Sequence, residues 1–143
     1  MTELDAALVR RKLATIVANL ADLARVEALS LADYRADRFR QKGTERLLQE
    51  TVEAAVDANL HLLRTVGAAP TDYFDSFVQM GRHRLLPESL ARDLAPAAGL
   101  RNRLVHEYDA IDDAVVLAAI AQARRLFTAY VTAVEAGLTA GGR

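Results

Sequence analysis

The stretch "RNRLVHEY", residues 101–108, gathers Arg101, Arg103, His106, Asn102 and Tyr108 into eight positions of a chain otherwise rich in alanine and leucine. If Leu100–Glu107 is helical, Asn102 and His106 stand four residues apart on one face, while Leu100 and Leu104 turn an apolar stripe to the core. Arg101 lies five positions before His106, about 140° around the helix, within swing of a long guanidinium. An imidazole that titrates near neutrality gives and takes protons, and a guanidinium holds a phosphate at two points and stabilises charge on a phosphorane. Those are the minimal parts for cutting RNA by attack of its own 2′-OH, a reaction that requires no metal. The spacing alone leaves a plainer reading open. Arginine makes up all basic residues but Lys12 and Lys42, so about a third of one Arg–His pair at this offset is expected by chance. On periodicity alone Arg101 and Arg103 would be solvated or ion-paired, His106 a charge partner for a helix C-terminus, and Tyr108 a core-edge ring with an exposed hydroxyl.

The elements that must position these residues are helices. Glycine and proline are scarce, β-branched alternation is nearly absent, and apolar residues recur at helical spacing. A first helix is expected over about Glu3–Glu27, opened by Thr2 with Asp5 three residues on, with Leu13, Ile16, Val17, Leu20 and Ala24 as its buried stripe. Ser30 and Asp33 repeat the start signal. In "FRQKGTERLL", Gly43 and Thr44 suggest a kink or break before a helix to about Val66, with Leu48, Val52, Ala55, Val56, Leu60 and Leu63 on its core face. Gly67 and Pro70 end that helix, and Thr71 is placed to cap a short one reaching about Met80. A loop and a helix from Pro87 lead to Pro96 and Gly99. The last long helix is expected from near Asp112, with Val116, Ile120, Ala123, Phe127, Val131 and Val134 inward. The sum is an all-α, up-and-down bundle of five to six helices, one domain over residues 1–138, with 139–143 expected as a disordered tail.

Composition narrows the function classes. The chain has 143 residues, 52% hydrophobic, enough to bury a core without a metal or disulfide, and it has no cysteine. No thiolate metal site is possible, and no cofactor is expected. The start "MTELDAALVRRK" lacks the apolar core of a signal peptide, and no uninterrupted apolar run of about 20 residues is present, so a cytoplasmic setting without a membrane partner is expected. A net charge of −1 means that any nucleic-acid contact must be local.

"RNRLVHEYDAID", with "ERLLQETVEAAVDANLHLL" and "GAAPTDYFDSFVQMG" in the same order, resembles the HepT-like branch of the HEPN superfamily across residues 1 to 135 or so. The resemblance implies a metal-independent ribonuclease toxin in a helical bundle, with the signature Arg, polar residue, three residues, His, any residue, Tyr. Arg101, Asn102, His106 and Tyr108 fill those positions. By that resemblance Arg101 and His106 are catalytic, Asn102 orients the phosphate or the pair, and Tyr108 is the residue on which a nucleotidyltransferase antitoxin places AMP. It further implies a homodimer in which two motifs converge on one cleft, which would also concentrate positive charge on a near-neutral protein. The alternative is a non-catalytic helical module that binds substrate or partner for a nucleotidyltransferase; the complete Arg–Asn–His–Tyr set counts against it.

Other candidates read more plainly. Glu53, Asp57 and His61 form a polar stripe at offsets of four, more in keeping with a charge ladder than a metal cluster. His83 in "GRHR" belongs to a basic, solvated turn. Tyr73, Phe74 and Phe77 are expected in the core.

Overall fold

A computed structural model of the chain describes residues 1–107 and 109–141. Among these it contains α1 (Glu3–Glu27), α2 (Leu31–Arg35), α3 (Arg38–Thr65), α4 (Tyr73–Arg82), α5 (Glu88–Leu94), α6 (Ala97–His106) and α7 (Asp113–Gly141), and no strand. The all-α bundle expected from periodicity is what forms. The helix count rests on how a kink is read: Ala95 and Pro96 both keep right-handed helical dihedrals, so α5 and α6 are nearly one helix bent at Pro96. The proline lacks the N–H that would continue the ladder.

Helix starts follow local chemistry. Thr2 and Asp5 form the reciprocal capping box at α1, Ser30 caps α2 through the amide of Asp33, and Asp37 caps α3 through that of Arg40. α4 is capped by Asp72 rather than by Thr71, whose amide instead donates to Asp75. At the end of α3, Gly67 has a φ of 73°, and the amide of Ala68 reaches back to the carbonyl of Leu63. That 6→1 bond needs a left-handed residue, which glycine supplies without strain.

The break expected at Gly43 and Thr44 does not occur, and α3 is continuous over 28 residues. Gly43 sits on the exposed side, and the Thr44 hydroxyl donates to the carbonyl of Arg40 within the helix. One exposed glycine costs about 1 kcal/mol of helix propensity, much less than the burial on either side returns. α7 likewise runs through Thr139 and Ala140 to Gly141, into the segment expected as a tail; its last inward residue, Leu138, is buried. By length and mean hydropathy alone α7 would suffice to cross a membrane, but Val116, Ile120, Phe127, Tyr130 and Val134 are buried in the bundle.

α3 is central, with α1, α2, α4, α6 and α7 against it. Its inward stripe is Leu48, Val52, Ala55, Val56 and Leu63 as expected, but Asn59 takes the place expected of Leu60, which is more than a third exposed. In α1, Val9, Leu23 and Val26 join Leu13, Ile16 and Leu20 inside, whereas Val17 faces out beside the α1–α7 groove. A buried polar chain explains Asn59. The Tyr130 hydroxyl donates to Asn59 Oδ1 at 2.7 Å and lies 3.0 Å from the carbonyl oxygen of Ala55. Asn59 Nδ2 then donates to the Ser76 hydroxyl at 3.2 Å, and Ser76 to the carbonyl of Tyr73 at 2.7 Å. Phe77 and Phe127 pack edge-on against the Tyr130 ring. α7, α3 and the first turn of α4 are thus tied by one hydrogen-bond sequence, with every buried member satisfied.

Tyr130→Phe removes the donor at the head of this chain and leaves Asn59 Oδ1 short of a partner in a dry core. The variant is expected to lose about 1 to 3 kcal/mol of stability, read as a lower denaturant midpoint with an unchanged m-value.

Candidate active site

α6 is held by Leu104, which is buried, and by Leu100, which packs against the core, so the helix turns Arg101 toward α3 and α4. Arg101 is not solvated. Its Nε and Nη2 donate to Glu53 Oε2 at 3.1 and 2.8 Å, and Nη1 donates to Asn102 Oδ1 at 3.3 Å. The guanidinium carbon lies 4.7 Å from the centre of the Tyr73 ring. Arg101 is therefore clamped between a carboxylate of α3 and an aromatic face of α4, and only about a fifth of its side chain is exposed. Gln49 Nε2 donates to both Glu53 oxygens at 3.4 Å.

This geometry divides the guanidinium into two edges. The side edge, Nε and Nη2, is spent on Glu53. With Nη1 also bonded to Asn102, one N–H remains on each terminal nitrogen to meet phosphate oxygens. The sequence reading missed Glu53 as a member of the site, although it stood in the polar stripe with Asp57 and His61. Those three do not act together: Asp57 pairs with Lys12 and His61 with Asp5, and no cluster suited to a metal ion occurs among the described residues. Asp5 is pulled down to about 2 by its bonds to Thr2, with a further contribution from His61.

His106 is the last residue of α6 and is exposed; among the described residues its ring makes no hydrogen bond. Asn102 is exposed one turn earlier on the same side. α6 stops there because Glu107 leaves the helical region while its amide still bonds to the carbonyl of Arg103 at 2.8 Å. Arg101 and His106 thus share a helix but not a contact. A ligand reaching both must lie along the outer side of α6, between the end edge of Arg101 and the open imidazole. Tyr108 lies outside the described residues. Arg103, exposed, is 4.0 Å from Glu107.

The remaining candidates fall away from this face. His83 caps the C-terminus of α4, and Arg84 closes it with a φ of 58°, so His83 and Arg84 form an exposed turn after Arg82, while Gly81 is buried within α4. Phe77 is buried and Tyr73 half-buried, but Phe74 is half-exposed, because the first turn of α4 has only one side against α3.

Comparison with known proteins places the chain among relatives. The family model described as "Ribonuclease HepT-like" matches residues 16–134. The tRNA nuclease HepT of Aphanizomenon flos-aquae (strain 2012/KM1/D3) is 39% identical over 140 residues, covering 96% of this chain and 95% of that protein. Among solved structures, the tri-AMPylated Shewanella oneidensis HEPN toxin in complex with MNT antitoxin superposes with a TM-score of 0.82 at 23% identity, over 95% of this chain and 99% of that one. A toxin–antitoxin crystal structure with AMP-PNP also gives a TM-score of 0.82 at 23% identity, over 91% and 98%. At that identity the structural likeness establishes the fold.

Removing the Glu53 carboxylate tests the clamp. Glu53→Ala leaves a partly buried guanidinium unpaired and is expected to cost about 1 to 2 kcal/mol. The Arg101 Nε–H signal is expected to be sharp and slowly exchanging in the parent protein by ¹⁵N NMR, and to broaden or vanish in the variant.

Proposed function

The chain belongs to the HepT-like ribonuclease family, and from that premise we propose that it is a metal-independent endoribonuclease toxin of the cytoplasm, neutralised by a nucleotidyltransferase antitoxin. The observation that carries this reading is the arrangement on α6: Arg101 held by Glu53 and Tyr73 with one N–H left on each terminal nitrogen, and His106 open at the end of the same helix.

The chemistry follows from the groups present. The 2′-oxygen of the substrate gives its proton to an imidazole and forms a bond to the adjacent phosphorus. The phosphorus–O5′ bond breaks, and the departing 5′-oxygen takes a proton from an imidazolium. Arg101 holds the non-bridging oxygens and offsets the charge that grows on them. Asn102, bonded to Arg101, keeps the terminal nitrogen in place. One histidine serves one proton at a time. A homodimer that brings two copies of α6 to a common cleft supplies both the base and the acid, which gives the two-fold assembly a catalytic reason. The expected product is a 2′,3′-cyclic phosphate, and DNA, lacking the 2′-OH, is not a substrate.

Tyr108, two residues beyond His106, is the proposed site of inactivation. Transfer of AMP from ATP to its hydroxyl, with pyrophosphate leaving, adds a phosphodiester charge and a bulky nucleoside beside the cleft. Substrate phosphate is then opposed by both repulsion and volume. The solved HEPN toxin with AMP groups and an MNT antitoxin supports this reading.

Purified protein incubated with tRNA in EDTA, tRNA being suggested by the name of the Aphanizomenon relative, is expected to yield fragments ending in 2′,3′-cyclic phosphate. Arg101→Ala and His106→Ala are expected to abolish cleavage with helical content retained. Cleavage that persists in a folded His106→Ala protein removes the catalytic assignment.

With the antitoxin, ATP and Mg²⁺, the intact mass is expected to rise by roughly 329 Da for each AMP, located at Tyr108 by peptide sequencing. Tyr108→Phe is expected to cut RNA normally and to escape covalent inactivation. An unchanged mass together with lost cleavage would assign inhibition to binding alone.

A further inference from the structure

At the corner between α2 and α3, Phe39 is 90% exposed, the most open large hydrophobic side chain among the described residues. The corner itself is firmly built. Tyr34 beneath it is fully buried, with its phenol pushed up to about 12 by that burial and by the nearby Glu45 and Asp113 carboxylates. Asp37 caps α3, and Asp113 at the start of α7 accepts from Gln41 at 3.1 Å and from Arg35 at 3.4 Å. The exposure of Phe39 is therefore a property of an ordered helix start, not of a loose loop. Its neighbours Arg38 and Arg40 are exposed too, and among the described residues neither side chain makes an ion pair or hydrogen bond. A bare ring between two unspent guanidiniums is poorly suited to water and to an apolar partner alike. It matches a ligand that alternates flat aromatic faces with negative charges.

Its position gives that ligand an identity. Arg101 contacts α3 at Glu53, and the connection leaving His106 arrives at Asp113, which is bonded to Gln41, two residues from Phe39. Glu53, which meets Arg101, and Gln41, which meets Asp113, both lie on α3, so the Arg101 socket and the Phe39 corner are two points along one helix. Glu53 and Phe39 are separated by about 21 Å of helix axis at 1.5 Å per residue, a length that a short single strand of RNA covers.

We propose that Phe39, flanked by Arg38 and Arg40, is a base-stacking platform for single-stranded RNA whose scissile phosphate lies at Arg101 and His106. The proposal rests on the ribonuclease reading and extends it with a substrate subsite. A nucleobase stacks on the Phe39 ring, gaining the contact area that water does not provide, and the two arginines take the phosphates on either side of it. Asp37 on the same corner has its carboxylate engaged as the cap of α3, and Asp33 stands in the first turn of α2.

The chain has no tryptophan, so Phe39→Trp places a single fluorophore on the platform. In a His106→Ala background, which separates binding from cutting, its emission is expected to be quenched on titration with a mixed-sequence single-stranded RNA oligonucleotide. Phe39→Ala and Phe39→Leu are each expected to bind that RNA roughly 5- to 100-fold more weakly, while Phe39→Tyr keeps the ring and binds like the parent. Arg38→Gln and Arg40→Gln are each expected to lower the salt slope of binding by about 0.7. Tight RNA binding with no quenching, or with Phe39→Leu equal to the parent, overturns the platform and leaves the ribonuclease reading intact. Dissociation of a homodimer or an antitoxin complex by Phe39→Ala, with RNA binding unchanged, overturns it in favour of a protein interface. A parent protein that neither binds nor cuts RNA removes both.

Discussion

The hydrogen-bond sequence Tyr130–Asn59–Ser76–Tyr73 sets the position of everything that α6 presents. Three of its members are fully buried, and each polar atom along it depends on the next, because water cannot replace a lost partner there. It begins on α7, crosses α3 and ends on the carbonyl of Tyr73. Tyr73 is also the ring under Arg101. The buried network thereby fixes one wall of the arginine socket, while α3 supplies the other through Glu53.

That construction separates the two tasks proposed for Arg101 and His106, which lie five positions apart on α6. Arg101 is ordered: a charged, flexible side chain has its entropy and part of its charge spent on Glu53 before any ligand arrives, so little remains to be lost on binding a phosphate. His106 is unconstrained by any bond among the described residues and faces solvent. A fixed guanidinium beside an accessible imidazole suits the proposed reaction, in which the phosphate must stay still while protons move.

Charge is handled locally rather than globally. The chain is nearly neutral, and six of its arginines pair with carboxylates among the described residues, among them Arg10 with Glu135, Arg35 with Asp113 and Arg101 with Glu53. Arg38 and Arg40 do not. Guanidiniums without a carboxylate partner are the ones open to a polyanion, and the placement of Arg38 and Arg40 beside Phe39 is what the proposed platform draws on.

Much of the fold was legible in residue order because the signals that shape it are local. The Thr2–Asp5 capping box, the Ser30 start, the left-handed Gly67 and the three- and four-residue recurrence of apolar side chains act within a turn or two of themselves. Arg101, Asn102, His106 and Tyr108 stood out by their resemblance to a family signature, because their spacing alone left a plainer reading open. Whatever depends on residues far apart in the chain was not legible. Nothing local distinguishes Glu53 from Asp57, yet one meets Arg101 across 48 positions and the other meets Lys12. Nothing local distinguishes Phe77 from Phe74 or Phe39 either; which ring is buried depends on where α3 and α7 lie, and a helix start with one covered side leaves the others in water. Gly43 read as a break because its own propensity is poor, and the helix passes through it because burial along the rest of α3 outweighs that cost. Local preference proposes the helices; the packing of distant residues decides which side chains become socket, core or surface.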